Sequence, residues 1–181
     1  MKVVSIPFRF KGRHPVWKSA VGEAWATVSR FSEDALRLSR IVRNVCAVRM
    51  APGDVGEWRP WYPNPTDPSQ VSEDNKDGPG DIWLNRMSVC SDPVMAVLHE
   101  MGHAATTEED IYQRHAPTEG WASESSADYY AAKWAGLDRL RKRNSSRDHE
   151  HHGGIPGQKV LIYDHWYNID ERFVFHPSEP H

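Results

Sequence analysis

Two histidines and a glutamate within five residues, His99-Glu100-Met101-Gly102-His103, constrain this chain more than any other stretch. On a helix, side chains four residues apart share one face with Cβ atoms roughly 5–6 Å apart, so both imidazoles reach a single small ion, and zinc is the natural occupant. Glu100 projects from a neighbouring part of the same surface, where a carboxylate beside the ion can take a proton from water. The spacing carries this meaning only in a helix, and the flanks predict one. Ser91-Asp92-Pro93 supplies a capping side chain followed by proline at the first helical position. Val94, Met95, Val97, Leu98 and Met101 form an apolar face that buries one side. Gly102 interrupts this helix at a cost of about 1 kcal/mol relative to alanine, so another element is expected to approach closely there.

A catalytic zinc site needs a third protein ligand and leaves a fourth position for water. The richest source is the segment from Trp121 to Gly136, a good helix with small residues over much of its surface. Glu124 and Asp128 stack one turn apart on it. Glu119 stands at its expected start, where a carboxylate complements the helix dipole, and His115 lies on the preceding connection. The twenty-one residues from His103 to Glu124 are enough for the chain to turn and return alongside the first helix.

On these residues the chain resembles the gluzincin metallopeptidases, in which a second helix carries a ligand Glu and, four residues later, an Asp that hydrogen-bonds a ligand His. The matching residues here are Glu124 and Asp128. Within that group the compact layout of residues 45–137 looks like the small ImmA/IrrE-like metallopeptidases, often encoded by phages and mobile elements, although that pattern often carries Asn where Asp128 stands. The resemblance implies an α+β fold, a compact zincin-like domain with a small mixed sheet packed on the active-site helix and a second ligand-bearing helix, preceded by N-terminal helices. It implies one zinc per chain held by His99, His103 and Glu124, with Asp128 orienting an imidazole. It also implies a protein substrate, such as a repressor or other regulator, bound as an added strand; Asp81-Ile82-Trp83-Leu84-Asn85 stands where the substrate-binding strand is expected.

Length sets the outer frame. At 181 residues the chain is expected to form a single domain, with an N-terminal arm and helices in 1–44, the zincin core in 45–143, and a loop with C-terminal strands and tail in 144–181. Its two cysteines, Cys46 and Cys90, are too few for a disulfide framework and are expected to be reduced, buried thiols. Charges interrupt the apolar N-terminal run, and no later segment approaches the ~20 apolar residues of a membrane span, so a cytoplasmic protein is expected. Charge is uneven: residues 1–50 hold ten Lys or Arg against three acidic residues, and the remainder holds twelve against twenty-two. Such asymmetry fits a docking surface for nucleic acid or an acidic partner, or mutual attraction between the two parts.

In chain order, Val3–Phe10 alternates as a strand or extended arm. Pro15 starts a helix whose Trp17, Val21, Trp25 and Val28 form a core stripe. Ser32 caps a second helix with Glu33 and Asp34 in its first turn, apolar positions running to Val42, and Arg37, Arg40 and Arg43 on a solvated face. Val45–Met50 reads as a strand, and Glu57–Tyr62 as a second that Pro60 restricts to an edge or bulge. Residues 63–80 form a long Pro- and Gly-containing loop, with Trp58, Trp61 and Tyr62 packing or lining a groove. Thr107–Asp110 caps a short helix to about Arg114. Residues 137–147 are strongly basic, and the cluster His149 to His152 reads as a loop. Lys159–Tyr163 and Arg172–Phe175 read as strands. A peptidase also needs a donor facing the developing oxyanion, and His115, Tyr129 and His165 are the candidates.

The expected activity is zinc-assisted hydrolysis of peptide bonds, with Glu100 as general base and no membrane association. The rival reading is a zinc-stabilised module that binds protein or nucleic acid through its basic first third and cuts nothing. Structural zinc sites favour cysteine and have no use for a carboxylate beside an open metal position, which weighs for the enzyme.

Overall fold

The computed structural model describes residues 5–60, 80–106, 116–145 and 154–178. The expectations for residues 61–79, for the helix after Thr107, for His115 and for the cluster His149 to His152 lie outside them.

Helix α1 (Pro15–Val28) begins as its sequence predicts, with His14 Nδ1 accepting the Trp17 amide at 3.2 Å. Its stripe of Trp17, Val21, Trp25 and Val28 is buried. Helix α2 (Ser32–Ile41) differs from expectation at both ends. Its cap position is Phe31, without a side-chain bond, and Ser32 is already helical. Asp34, expected to serve the helix dipole, is instead buried and accepts from Trp134 Nε1 at 2.8 Å and Lys133 Nζ at 2.7 Å. Two donors from a distant helix satisfy a carboxylate better than one weak dipole can. Val42, expected to be helical, opens strand β2 (Val42–Val48), because β-branched Val42 and Val45 sit well on a pleated surface.

The first sheet also contains β1 (Arg9–Lys11), β3 (Gly56–Pro60) and β4 (Gly80–Asn85), in the order β1-β2-β4-β3. β1 and β4 run parallel to β2, and β3 is antiparallel to β4. β1 is shorter than the expected arm. Pro60 lies in β3, an edge strand among the described residues, where a missing N–H is tolerated. β4 is interior, hydrogen-bonded to β2 on one side and β3 on the other. Asp81, Ile82, Trp83, Leu84 and Asn85 therefore have no free backbone edge, and the expectation that they receive a substrate strand is corrected. Asn85 has a structural task instead. Its side chain is buried, donates to Ala51 O and Asp54 O at 3.2 and 2.8 Å, and accepts from the Met87 amide at 3.0 Å, fixing the turn that leads into β3. Trp58 packs against the core.

Helices α3 (Pro93–Thr106) and α4 (Glu119–Ala135) pack on one another beneath this sheet. Asp92 caps α3, its Oδ1 accepting the Met95 amide at 3.1 Å, and Arg139 clamps the same carboxylate at 2.9 and 3.0 Å. The close approach foreseen at Gly102 is made by Ala127 of α4: a Cβ on Gly102 would overlap the Ala127 backbone. Gly102→Ala is therefore expected to destabilise by about 1–2 kcal/mol, because overpacking against backbone outweighs the gain of roughly 1 kcal/mol in helix propensity. Denaturant melts check this, and an unchanged midpoint would refute the contact.

Gly136, at φ 95°, breaks the chain between α4 and the short helix α5 (Leu137–Asn144). A second sheet, an antiparallel meander of β5 (Lys159–Ile162), β6 (His165–Ile169) and β7 (Phe175–Ser178), follows. The last strand starts at Phe175 rather than Arg172, since Phe173 adopts φ 64° in the preceding turn. Val160, Ile162, Ile169 and Phe175 form a small apolar cluster against Trp121 of α4. The main core draws on α1 to α5 and the first sheet together, so the first third of the chain is built into the layer that carries the histidines. Cys46 and Cys90 are free thiols, raised in pKa chiefly by burial. Among the described residues no helix is long and apolar enough to cross a membrane.

Candidate metal centre

Helical spacing stacks His99 and His103 on the side of α3 that faces α4, with ring centroids 4.7 Å apart. The Gly102–Ala127 contact lets the two backbones close enough for one turn of α4 to meet them. That turn brings Glu124 between the imidazoles. Glu124 Oε2 lies 3.0 Å from His99 Nε2, Oε1 lies 3.4 Å from His103 Nε2, and the two Nε2 atoms are 3.1 Å apart. Among the described residues this is the one group of three or more His, Cys, Asp or Glu side chains able to share an ion. Asp128 and Ser123, also on α4, engage the opposite nitrogens. His99 Nδ1 donates to Asp128 Oδ1 at 2.8 Å, and His103 Nδ1 pairs with Ser123 Oγ at 3.2 Å.

These contacts make a chemical demand. With its Nδ1 proton given to Asp128, neutral His99 presents a bare lone pair at Nε2, facing a carboxylate and a second imidazole at little more than 3 Å. Acceptors converging in this partly buried place need a proton or a metal ion between them. Without a metal, a proton fills that need. Burial pushes the His99 imidazole down, but the hydrogen bonds to Asp128 and Glu124 outweigh it and raise its pKa to about 10. Burial likewise raises Glu124, yet the two histidines hold it far below the ordinary carboxylate range. Zinc meets the same need with better geometry: ligand atoms at about 2.0–2.1 Å on a tetrahedron stand roughly 3.3 Å apart. The two Nε2 atoms, 3.1 Å apart, stand near that spacing, and Glu124 offers Oε2 to one and Oε1 to the other at 3.0 and 3.4 Å, with one ligand atom from each residue within 4.8 Å of the others. The donor set, two imidazoles and one carboxylate with no cysteine, also leaves a fourth corner without a described protein ligand, as open zinc sites do.

Glu100 is 7 % exposed and has its pKa raised by burial, an effect that the charges of His103 and His99 oppose. The edge strand β3 covers it. A Cβ on Gly56 would stand 2.9 Å from Glu100 Cγ and 3.0 Å from Oε1, so glycine is what lets the strand pass over this carboxylate. No sequence signal marked Gly56, because its role depends on an element more than forty residues away.

The remaining expected residues are dispersed. Tyr129 packs edge-on against Tyr130 and Phe173, and His165 is exposed at the start of β6, opposite Ile162. Glu119 is the first residue of α4, more than one turn before Glu124. Arg37, assigned to a solvated face, donates to Ala105 O at 3.3 Å and Tyr130 Oη at 3.2 Å, tying α2 to the end of α3. Ser123 was missed in the sequence. Its adjacency to Glu124 was the available signal, and serine is too common on helices for that to stand out.

The shifts dictate a pH response. His99, with a folded pKa of about 10 against an ordinary 6.5, contributes stability that is full below about 6.5 and lost as pH rises through 10. Glu124, depressed from an ordinary 4.5, contributes stability present above that value and lost as pH falls below it. Metal-free protein is thus expected to melt highest between about pH 4.5 and 6.5 and to weaken towards pH 10. Because His99 must release its proton to accept an ion, zinc affinity is expected to climb up to that pH with release of about one proton. Calorimetry in buffers of different ionisation enthalpy reads the release directly, and zinc binding without it would contradict the proton bridge.

No family model matches this chain, nor does any curated protein or solved structure.

Proposed function

We propose that the protein is a zinc-dependent peptidase that hydrolyses an extended polypeptide. The observation carrying this reading is the convergence of His99, His103 and Glu124 ligand atoms within 4.8 Å of one another, beside the buried carboxyl of Glu100. Bound by His99, His103 and Glu124, zinc supplies the Lewis acidity that makes water nucleophilic and a peptide carbonyl electrophilic near neutral pH. Asp128 and Ser123 keep the imidazole Nε2 atoms turned inward. Glu100 takes a proton from the attacking water and delivers it to the leaving amine. Burial raises its pKa, which makes the carboxylate a stronger base than one in water.

The sheet supplies the place for the substrate. β3 carries β4 on its inner edge, and its outer edge has no partner strand among the described residues. A polypeptide added along Gly56–Pro60 would run beside the strand that lies against Glu100. This keeps the expectation of an added strand and moves it from 81–85 to 56–60. A protein substrate such as a repressor is what the resemblance to ImmA/IrrE-like metallopeptidases suggests. The non-catalytic reading draws on the basic first third, but Arg43 already pairs with Asp81 at 3.4 Å and Arg37 is bonded to Ala105 O and Tyr130 Oη, so less of that charge is left for a partner.

The test is cleavage of an unstructured polypeptide such as casein, with and without a chelator. Cleavage that stops on chelation and returns with zinc is expected. No cleavage of any unfolded or strand-forming substrate by zinc-loaded protein would favour the binding module.

A further inference from the structure

The basic run at the end of α5 contains more than surface charge. Arg141 and Lys142 are exposed, as a solvated run predicts, but Arg143 is 6 % exposed and turns inward. It reaches Asp128, the carboxylate that accepts from His99 Nδ1. Asp128, with no exposed surface, has Oδ1 shared between His99 Nδ1 at 2.8 Å and Arg143 Nη1 at 3.8 Å, while Oδ2 accepts from Asn144 Nδ2 at 3.0 Å. Arg143 Nη1 also donates to Asn144 Oδ1 at 3.3 Å.

We propose that Arg143 and Asn144 are positioning residues for the metal centre: Arg143 sets the Asn144 amide, Asn144 sets the plane of the Asp128 carboxylate, and Asp128 sets the His99 ring. The logic is one of donors and acceptors. A guanidinium can only donate, so it claims the amide oxygen and turns the amide nitrogen towards Asp128. A carboxylate held at both oxygens cannot rotate, so the His99 N–H meets a fixed acceptor and Nε2 points at His103 and Glu124. Charge argues the same way. Glu100, Glu124 and Asp128 crowd one partly or fully buried place, and Arg143 is a buried cation set against Asp128. An arginine used only to anchor α5 would not need to face Asp128, since Leu140 and the Arg139–Asp92 clamp already hold that helix.

This inference rests on the zinc reading above, so its test includes a readout that zinc does not enter. Asn144→Leu removes the bond to Asp128 at similar size, Asn144→Ser removes it with less strain should the leucine fail to fold, and Arg141→Ala is an exposed control on the same helix. In metal-free protein, the downfield proton resonance of the His99 Nδ1–H is expected to be sharp in wild type and Arg141→Ala, and shifted or lost to exchange in both Asn144 variants. In zinc competition against a chelator, the Asn144 variants are expected to bind about tenfold more weakly, at the low end of what such supporting bonds contribute. The cobalt-loaded forms should show a displaced visible band. An unchanged His99 resonance in a folded Asn144 variant would overturn the proposal. If wild type bound no zinc, the zinc reading would fall while the resonance still decided the positioning role.

Discussion

Glu124→Ala is expected to purify with little or no zinc, whereas wild type and Glu119→Ala each carry about one ion per chain. Glu124 is the one carboxylate within 3.0–3.4 Å of both Nε2 atoms among the described residues, and the only anionic member of the set. Structural zinc sites bind with apparent free energies of roughly 10–16 kcal/mol spread over four ligands, so removing one of three should weaken binding by at least a hundredfold. The same substitution strips His99 of one of the two carboxylates that raise its pKa, so its alkaline transition should move down. Elemental analysis and chelator competition read the first effect, and an NMR titration of the imidazole reads the second. Full zinc retention in Glu124→Ala would transfer the third position to another group and undo the ligand set.

Glu100→Gln is expected to keep its zinc and lose about 10²- to 10⁴-fold in cleavage rate, the range that general acid–base catalysis contributes. Glutamine matches the shape of glutamate beneath Gly56 but cannot accept a proton. Because Glu100 is buried beside other carboxylates, removing its charge also relieves an electrostatic cost. The variant should therefore melt at or above the wild-type temperature, as when a group is kept for chemistry at some expense of stability. Cleavage assays with zinc-loaded protein, set beside thermal melts, check both arms. Undiminished cleavage would remove Glu100 from its role, and loss of zinc would make it a ligand.

Residues with local signals were legible in sequence. Pro15 and Asp92-Pro93 open helices where expected because capping and proline effects act within one turn. Gly102 announced a close neighbour because glycine inside a helix needs a steric reason. Glu124 and Asp128 stood at helical spacing, and the structure brings both to the histidines. Harder to see was everything that depends on which elements lie side by side. Asp81–Asn85 alternates like any strand, and nothing in its period tells whether its edges are free or paired. Asn85 reads as a strand residue and is a turn clamp. Arg143 and Asn144 sit in a run whose composition says solvent, and only packing of α5 against α4 turns these two inward.

The face of α3 follows from residue order alone: a period of 3.6 residues puts His99 and His103 together whatever surrounds them, and Glu100 on the neighbouring flank. Only the packing of the chain shows which carboxylate meets the histidines, which of the described strands lies at the sheet edge and which bonds orient each imidazole. Those depend on the contact between Gly102 and Ala127, on the strand order and on the return of α5, and each joins residues far apart in the chain. Periodicity is a property of neighbours along the backbone, whereas a metal centre is built from lone pairs that meet across it.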